Sequence, residues 1–341
     1  MAASRSAIRF ASPAGWAAAG RASIKADAKM IPMQSVRGLV AAIWLVGGIS
    51  AFLYAQYKQI PAPVAVPIAA AFLVELSLYA NMVHAAAWRP WVLWGSALAP
   101  YLIYALGLGQ FRLESFALLA ALAAVAVWWL RLLPEYSAVD LLFLAFMAAV
   151  YLLKLFRHCY PDPYDLDVDT LGKLMWIRVG IASVLRRYPA NAAGFGFLPK
   201  KAEWQVGLRH FLWFAPLGLA LGVAIGIGRF SLVPGFWYKA VLAFIGSLWV
   251  VALMEEFFFR GLLQKRLTIW LGIWPGLLLT SAIFGLAHLW FADRFPNWKQ
   301  VAVAGVLGVF CGRAFLQANA VRASMVTHAL AVATWRALFE R

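Results

Sequence analysis

The stretch Glu-Glu-Phe-Phe-Phe-Arg, Glu255 to Arg260, lies at the end of a run apolar enough to read as a membrane span. Carboxylates beside hydrocarbon are costly, so ionisable residues in such a setting point to function. Only fourteen acids and five histidines occur in the chain. Two of those histidines, His288 and His328, lie in two further apolar segments, "SAIFGLAHLW" and "ASMVTHALAVATW". Neighbouring residues on a helix point about 100° apart, so Glu255 and Glu256 cannot both face one cavity squarely. Glu256 and Arg260 are i,i+4 with the acid on the favourable N-terminal side, which predicts that they pair and leave Glu255 free. Desolvation disfavours the charged form of an unpaired carboxylate, so such a group can take a proton from water. His288 and His328 then have three uses: positioning that water, stabilising an oxyanion, or binding a metal together with Glu255. Taken singly, each residue reads equally as an interhelical hydrogen bond. Glu-Glu, Arg and two His spread over three segments instead imply convergence on one site.

The spacings also resemble a known family. Glu255–Arg260 matches EExxxR, Phe284 to His288 matches FxxxH, and His328 opens a third motif similar to HxxxN or HxxxD. These are the motifs of the CAAX-protease and bacteriocin-processing family, which includes the type II CAAX prenyl endopeptidases, and the resemblance covers about residues 195–339. It implies an all-helical membrane fold with a site in a cavity open towards the cytoplasmic leaflet. It also implies that Glu255 is the general base, His288 its partner and His328 the oxyanion donor, with Glu256, Arg260 and Phe284 in support. One departure stands out: Val332 occupies the position where the family has Asn or Asp. Ser324, at i−4 from His328 on the same face, is a substitute, with Thr327 or Thr334 less direct. The alternative is a silent relative acting as an immunity or partner-binding protein. Glu255, His288 and His328 supply the three protein ligands a catalytic zinc needs, a number that admits a divalent metal without being diagnostic of one. The first half, with "HCYPDPYDLDVDTLG", resembles the exosortase-associated branch of the same family.

The elements that must position these residues are helices. With 64% hydrophobic and 13% charged residues in 341, the chain reads as an all-α polytopic bundle of about 8–10 spans. Apolar segments fall near 39–56, 63–87, 91–109, 116–130 and 138–153, then 210–228, 236–254, 271–291, 300–317 and 323–339. This divides the chain into a basic tail (1–37), an N-terminal membrane module (38–153), a polar connector (154–209) and a protease core (210–341). Residues 255–270 are expected to be a helical link between two spans. A start codon placed too early, with Met30 or Met33 as the real start, also accounts for the tail. The +16 charge lies mainly in short segments between apolar runs, which fits lipid headgroups and topology and not nucleic acid. Many of the 17 tryptophans lie near segment ends, as in interfacial belts. The basic residues place the connector on the cytoplasmic side. Five crossings then separate it from a basic tail that should lie on that same side, unless an early segment does not cross, 171–188 enters the membrane, or the tail lies outside.

Asp162, Asp165, Asp167 and Asp169 lack the glycine and closing glutamate of an EF-hand and read as a solvated loop. Cys159 and Cys311 form no metal-type cluster and read as structural. Glu75, Asn81, His84 and Asp140 line either a substrate path or helix interfaces. No GxSxG, GxGD, HExxH or Walker sequence is present. A proton-coupled transporter would need matching inverted halves, and the two halves are dissimilar. The reading that results is an intramembrane endopeptidase of the inner membrane acting on hydrophobic or lipid-linked protein termini.

Overall fold

The computed structural model describes residues 33–340 except 163, 228, 232–234 and 292–293, so the expectations for the tail before residue 33 lie outside the described residues. The protein is a polytopic helical membrane bundle. Its longer helices are α1 (Met33–Lys58), α2 (Ala62–Ala80), α3 (Pro90–Gly107), α4 (Leu113–Leu132), α5 (Ser137–Leu152), α6 (Thr170–Arg187), α7 (Lys201–Ala224), α8 (Phe236–Leu271), α9 (Ile273–Leu286), α10 (Trp298–Ala318) and α11 (Val321–Leu338). Among the described residues, six (α1, α2, α4, α7, α8 and α10) are long and apolar enough to cross a membrane by length and composition. Leu45, Ile49, Phe52 and Leu53 of α1 are exposed, as are Trp237, Trp270, Trp274, Trp290 and Trp298 near helix ends. Such surfaces suit acyl chains along the helices and headgroups at their ends. The chain divides into two compact units, residues 1–135 with 145–192, and residues 136–144 with 193–341.

In the first unit the segment expected as a polar connector contains its most buried helix. Every residue of α6 from Leu174 to Leu185 is buried. Near its start, Gly172 abuts Phe156, and Arg112 at the head of α4 donates to the His158 carbonyl at 3.4 Å. At its end, Arg186 donates to the Trp88 carbonyl at 2.5 Å, and Arg187 donates to the carbonyls of Leu130, Leu133 and Pro134 at the foot of α4. Helices α4 and α6 therefore run the same way between the same two ends. Eighteen residues of helix cover about 27 Å, close to the hydrocarbon thickness.

A crossing α6 removes the parity conflict. The aspartate loop and residue 188 would then lie on opposite sides, in place of the single cytoplasmic side expected for all of 154–209. The end carrying Arg37, Arg89, Arg131, Arg186 and Arg187 is preceded in sequence by five more basic residues, the charge pattern that the positive-inside rule associates with a cytoplasmic face. Midway along α6, Arg178 donates to Glu75 of α2 at 2.8 and 3.0 Å and to the Ser96 hydroxyl of α3 at 2.9 Å. Both charged side chains are fully buried. That bidentate pair makes Glu75 an interhelical tie and not the lining of a path. Asn81 donates to the Ser77 carbonyl of its own helix at 2.8 Å. In the short helix Leu155–Cys159, burial pushes the Cys159 thiol up to about 11, as suits a structural cysteine.

The second unit is built around α8 and α11. The span expected over 236–254 and the helical link expected over 255–270 are one helix: α8 runs for 36 residues, about 54 Å. Two π-helical segments interrupt its α-helical geometry, Ser247–Val251 and Phe257–Gln264, on either side of the two glutamates. π-Bulges turn side chains relative to a regular helix and recur at functional sites. Helix α11 packs against α7 at Gly207, where a Cβ would come within 2.6 Å of the Ala323 carbonyl and where Thr327 donates to the Gly207 carbonyl at 2.9 Å. Small residues permit such close backbone approach between membrane helices. One end of the unit is tied by Arg322 to Glu203, at 2.7 and 2.6 Å, and by the Val321 amide to the Gly194 carbonyl at 2.8 Å. The other end is closed by a two-residue antiparallel pairing of Arg229–Phe230 with Phe339–Glu340. Asp140 forms an ion pair with Arg266 at 2.8 Å, again a structural tie.

Candidate active site

The α-helical turn Ala252–Glu256, the π segment Phe257–Gln264 that follows it and the buried face of α11 bring four ionisable groups together. Arg260 Nε donates to Glu256 Oε2 at 3.0 Å, and His328 Nδ1 donates to Glu256 Oε1 at 2.8 Å. An ionised carboxylate only accepts, so that contact fixes the imidazole with its proton on Nδ1 and turns Nε2 outward. His328 Nε2 lies 3.9 Å from Glu255 Oε2, and no hydrogen-bond partner satisfies that oxygen among the described residues. The Glu255 side chain keeps 19% of its surface, whereas Glu256 and Arg260 keep none. The pairing read from the i,i+4 spacing is therefore present, and Glu255 is the carboxylate left open.

Below this row the ties continue. Arg260 Nη1 donates to Gln264 Oε1 at 3.3 Å, and Gln264 Nε2 donates to the Gly312 carbonyl of α10 at 3.2 Å. The Arg260 guanidinium lies over the Phe284 ring at 5.2 Å, and the His328 ring meets the same ring edge-on at 5.7 Å. Phe284 thus gives α9 a place in the site as an apolar wall against the Arg260 guanidinium and the His328 ring.

His288 turns one ring nitrogen to its own backbone. Its Nδ1 lies 2.9 Å from the Phe284 carbonyl one turn back in its own chain, and its ring packs on Phe284 at 5.0 Å. It makes no hydrogen bond or ion pair with Glu255 or His328 among the described residues, whereas His328 Nε2 comes within 3.9 Å of Glu255. Ser324 is also committed elsewhere, its hydroxyl donating to the Val321 carbonyl at 2.7 Å, so it does not restore the polar group lost at Val332. The Thr327 hydroxyl faces Gly207 and is likewise occupied.

Cys311 is the residue that sequence reasoning set aside and the structure brings in. Buried on α10, it joins Glu256 and His328 in a group whose ligand atoms lie within 4.8 Å of one another. That group does not fit a metal ion. Both oxygens of Glu256 already accept from Arg260 and His328, and the guanidinium is a cation beside the same carboxylate. Glu255, His288 and His328 are not among the residues whose ligand atoms cluster in this way among the described residues.

What the four charges can do follows from their order. An imidazolium at residue 328, with Arg260, Glu256 and Glu255, gives a net charge of zero. A protonated His328 is thereby matched electrostatically and directs an Nε2–H at the space beside Glu255. A water molecule there meets a base on one side and a cationic donor on the other, the pairing needed to attack a carbonyl and hold the resulting oxyanion.

No curated protein and no solved structure gives a significant match to the chain. A family model does match, over residues 237–334, and its description is "Type II CAAX prenyl endopeptidase Rce1-like". The matched residues carry Glu255, Glu256, Arg260, Phe284, His288 and His328, so the segment forming the site is similar to the type II CAAX prenyl endopeptidases, a family of membrane peptidases.

Proposed function

We propose that the protein is an intramembrane endopeptidase that hydrolyses a peptide bond near the cytoplasmic membrane face, using water activated by Glu255. The observation that carries the reading is the 3.9 Å approach of an unpartnered Glu255 oxygen to His328 Nε2. Glu255 takes a proton from water as the oxygen attacks the scissile carbonyl, and His328 donates to the oxyanion. The same proton then passes from Glu255 to the leaving amine. Glu256 holds the His328 ring in orientation and balances its charge, while Arg260 and Gln264 hold Glu256. His288 assists through water, since it makes no hydrogen bond to Glu255 among the described residues. No step is routed through zinc.

His328 lies seven residues along α11 from Val321, about 10 Å in depth. A substrate reaching it must be an apolar or lipid-linked protein terminus that partitions into the bilayer. The setting proposed is a bacterial inner membrane, with a sorting-tag peptide, leader peptide or anchored regulator preferred to a prenylated chain. Val332 and the committed hydroxyl of Ser324 favour one rival, a silent relative that binds partners without cleaving them. The test incubates the purified protein in nanodiscs with membrane-anchored peptides in ¹⁸O water, with and without chelator. A new C-terminus bearing one ¹⁸O supports hydrolysis, and unchanged cleavage under chelation supports the metal-free route. Intact peptide across such a panel favours the binding-only relative.

A further inference from the structure

A second site lies in the first unit, far in sequence from the glutamates. At the cytoplasmic ends of α4 and α6, a cavity of about 460 Å³ is lined by Arg131, Arg186, Arg187, Ser183 and Glu135 over a floor of small and apolar residues that includes Leu130. Three guanidiniums against one carboxylate leave it cationic. Their arrangement separates scaffold from ligand contact. Arg187 caps α4 through the Leu130, Leu133 and Pro134 carbonyls, and Arg186 directs Nη1 to the Trp88 carbonyl. Arg131 is exposed and makes no hydrogen bond or ion pair among the described residues. Ser183 adds an independent sign: it lines the cavity, is 2% exposed, and its hydroxyl has no partner. A buried hydroxyl without a partner is costly and calls for a bound group to satisfy it.

The geometry points to a binding site for the phosphate of an anionic phospholipid, with the headgroup on Arg131, Arg186 and the Ser183 hydroxyl and the first acyl carbons against Leu130. Position, charge and lining agree on that occupant. The cavity opens where positive-inside topology puts the cytoplasmic headgroup layer, basic pockets between membrane helices are the usual receptors for such lipids, and the apolar floor suits an amphiphile better than a free ion. The site lies within the first unit alone and does not rest on the proposed proteolysis.

The test is native mass spectrometry of the full chain released from nanodiscs of phosphatidylglycerol or phosphatidylcholine, with a third arm of inorganic phosphate in detergent. Phosphatidylglycerol should be retained over phosphatidylcholine. Its affinity should fall about fivefold in Arg131→Ala and about 25-fold in Arg131→Glu, as follows from the worth of one basic residue at an anionic surface. Arg131 is exposed, so these variants should fold; Ser183→Leu, which fills the cavity, should lose the lipid with Arg131 intact. Equal retention of both lipids, or unchanged retention in Arg131→Glu, overturns the site. Arg131-dependent binding of inorganic phosphate without lipid retention overturns the lipid assignment.

Discussion

Glu256 is expected to support the site without performing its chemistry, and Glu256→Gln tests that division. The carboxylate is fully buried, with Oε2 on Arg260 Nε at 3.0 Å and Oε1 on His328 Nδ1 at 2.8 Å. The amide keeps the shape and one acceptor but removes the charge, leaving the Arg260 guanidinium hydrogen-bonded to amide oxygens alone, Gln264 Oε1 at 3.3 Å among them. Breaking a buried ion pair costs about 3–5 kcal/mol. The retained amide oxygen offsets about 1 kcal/mol of this, so a net loss of about 2–4 kcal/mol is expected. Cleavage should fall as well, by about 10–100-fold, because the residue that orients the His328 ring is gone. Glu256→Leu with Arg260→Met separates the two effects: unfolding in detergent should return most of the stability, whereas peptide cleavage should stay low. Wild-type stability in Glu256→Gln, or full cleavage in the double variant, would refute the assigned role.

The same logic applies in the first unit, where Arg178→Met should destabilise by about 3–5 kcal/mol and Glu75→Leu with Arg178→Met should recover most of it in the same unfolding assay. If α6 crosses the membrane, a cysteine placed at Asp165 and one placed at Glu135 should react with an impermeant maleimide from opposite faces of sealed vesicles. Labelling of both from one face would contradict the crossing.

Local spacing made some features legible and hid others. The Glu256–Arg260 pair was readable because i,i+4 contacts depend only on helix geometry, and the fold class because apolar surface on this scale has no other home. Cys311 could not be placed, since its approach to Glu256 and His328 depends on how α10 packs, for which a single sequence carries no signal. Helix α6 was masked by Lys173, Arg178, Arg186 and Arg187, which lower its apolar character although Arg178 is neutralised by Glu75 from 103 residues away. The continuity of α8 was hidden for a similar reason: two glutamates and an arginine look like the end of a span when partners on other helices are unknown. His288 was assigned by motif, and motif spacing says nothing of where a ring turns once its Nδ1 bonds its own backbone.

The most direct measurement is the cleavage rate of Glu255→Gln beside its stability. The Glu255 oxygen facing His328 has no partner, so unfolding should stay within about 0.5 kcal/mol of wild type. The rate should fall by about 10²–10⁴-fold, the usual contribution of a general base. A stable variant that still cleaves at the wild-type rate would contradict Glu255 as the group that activates water.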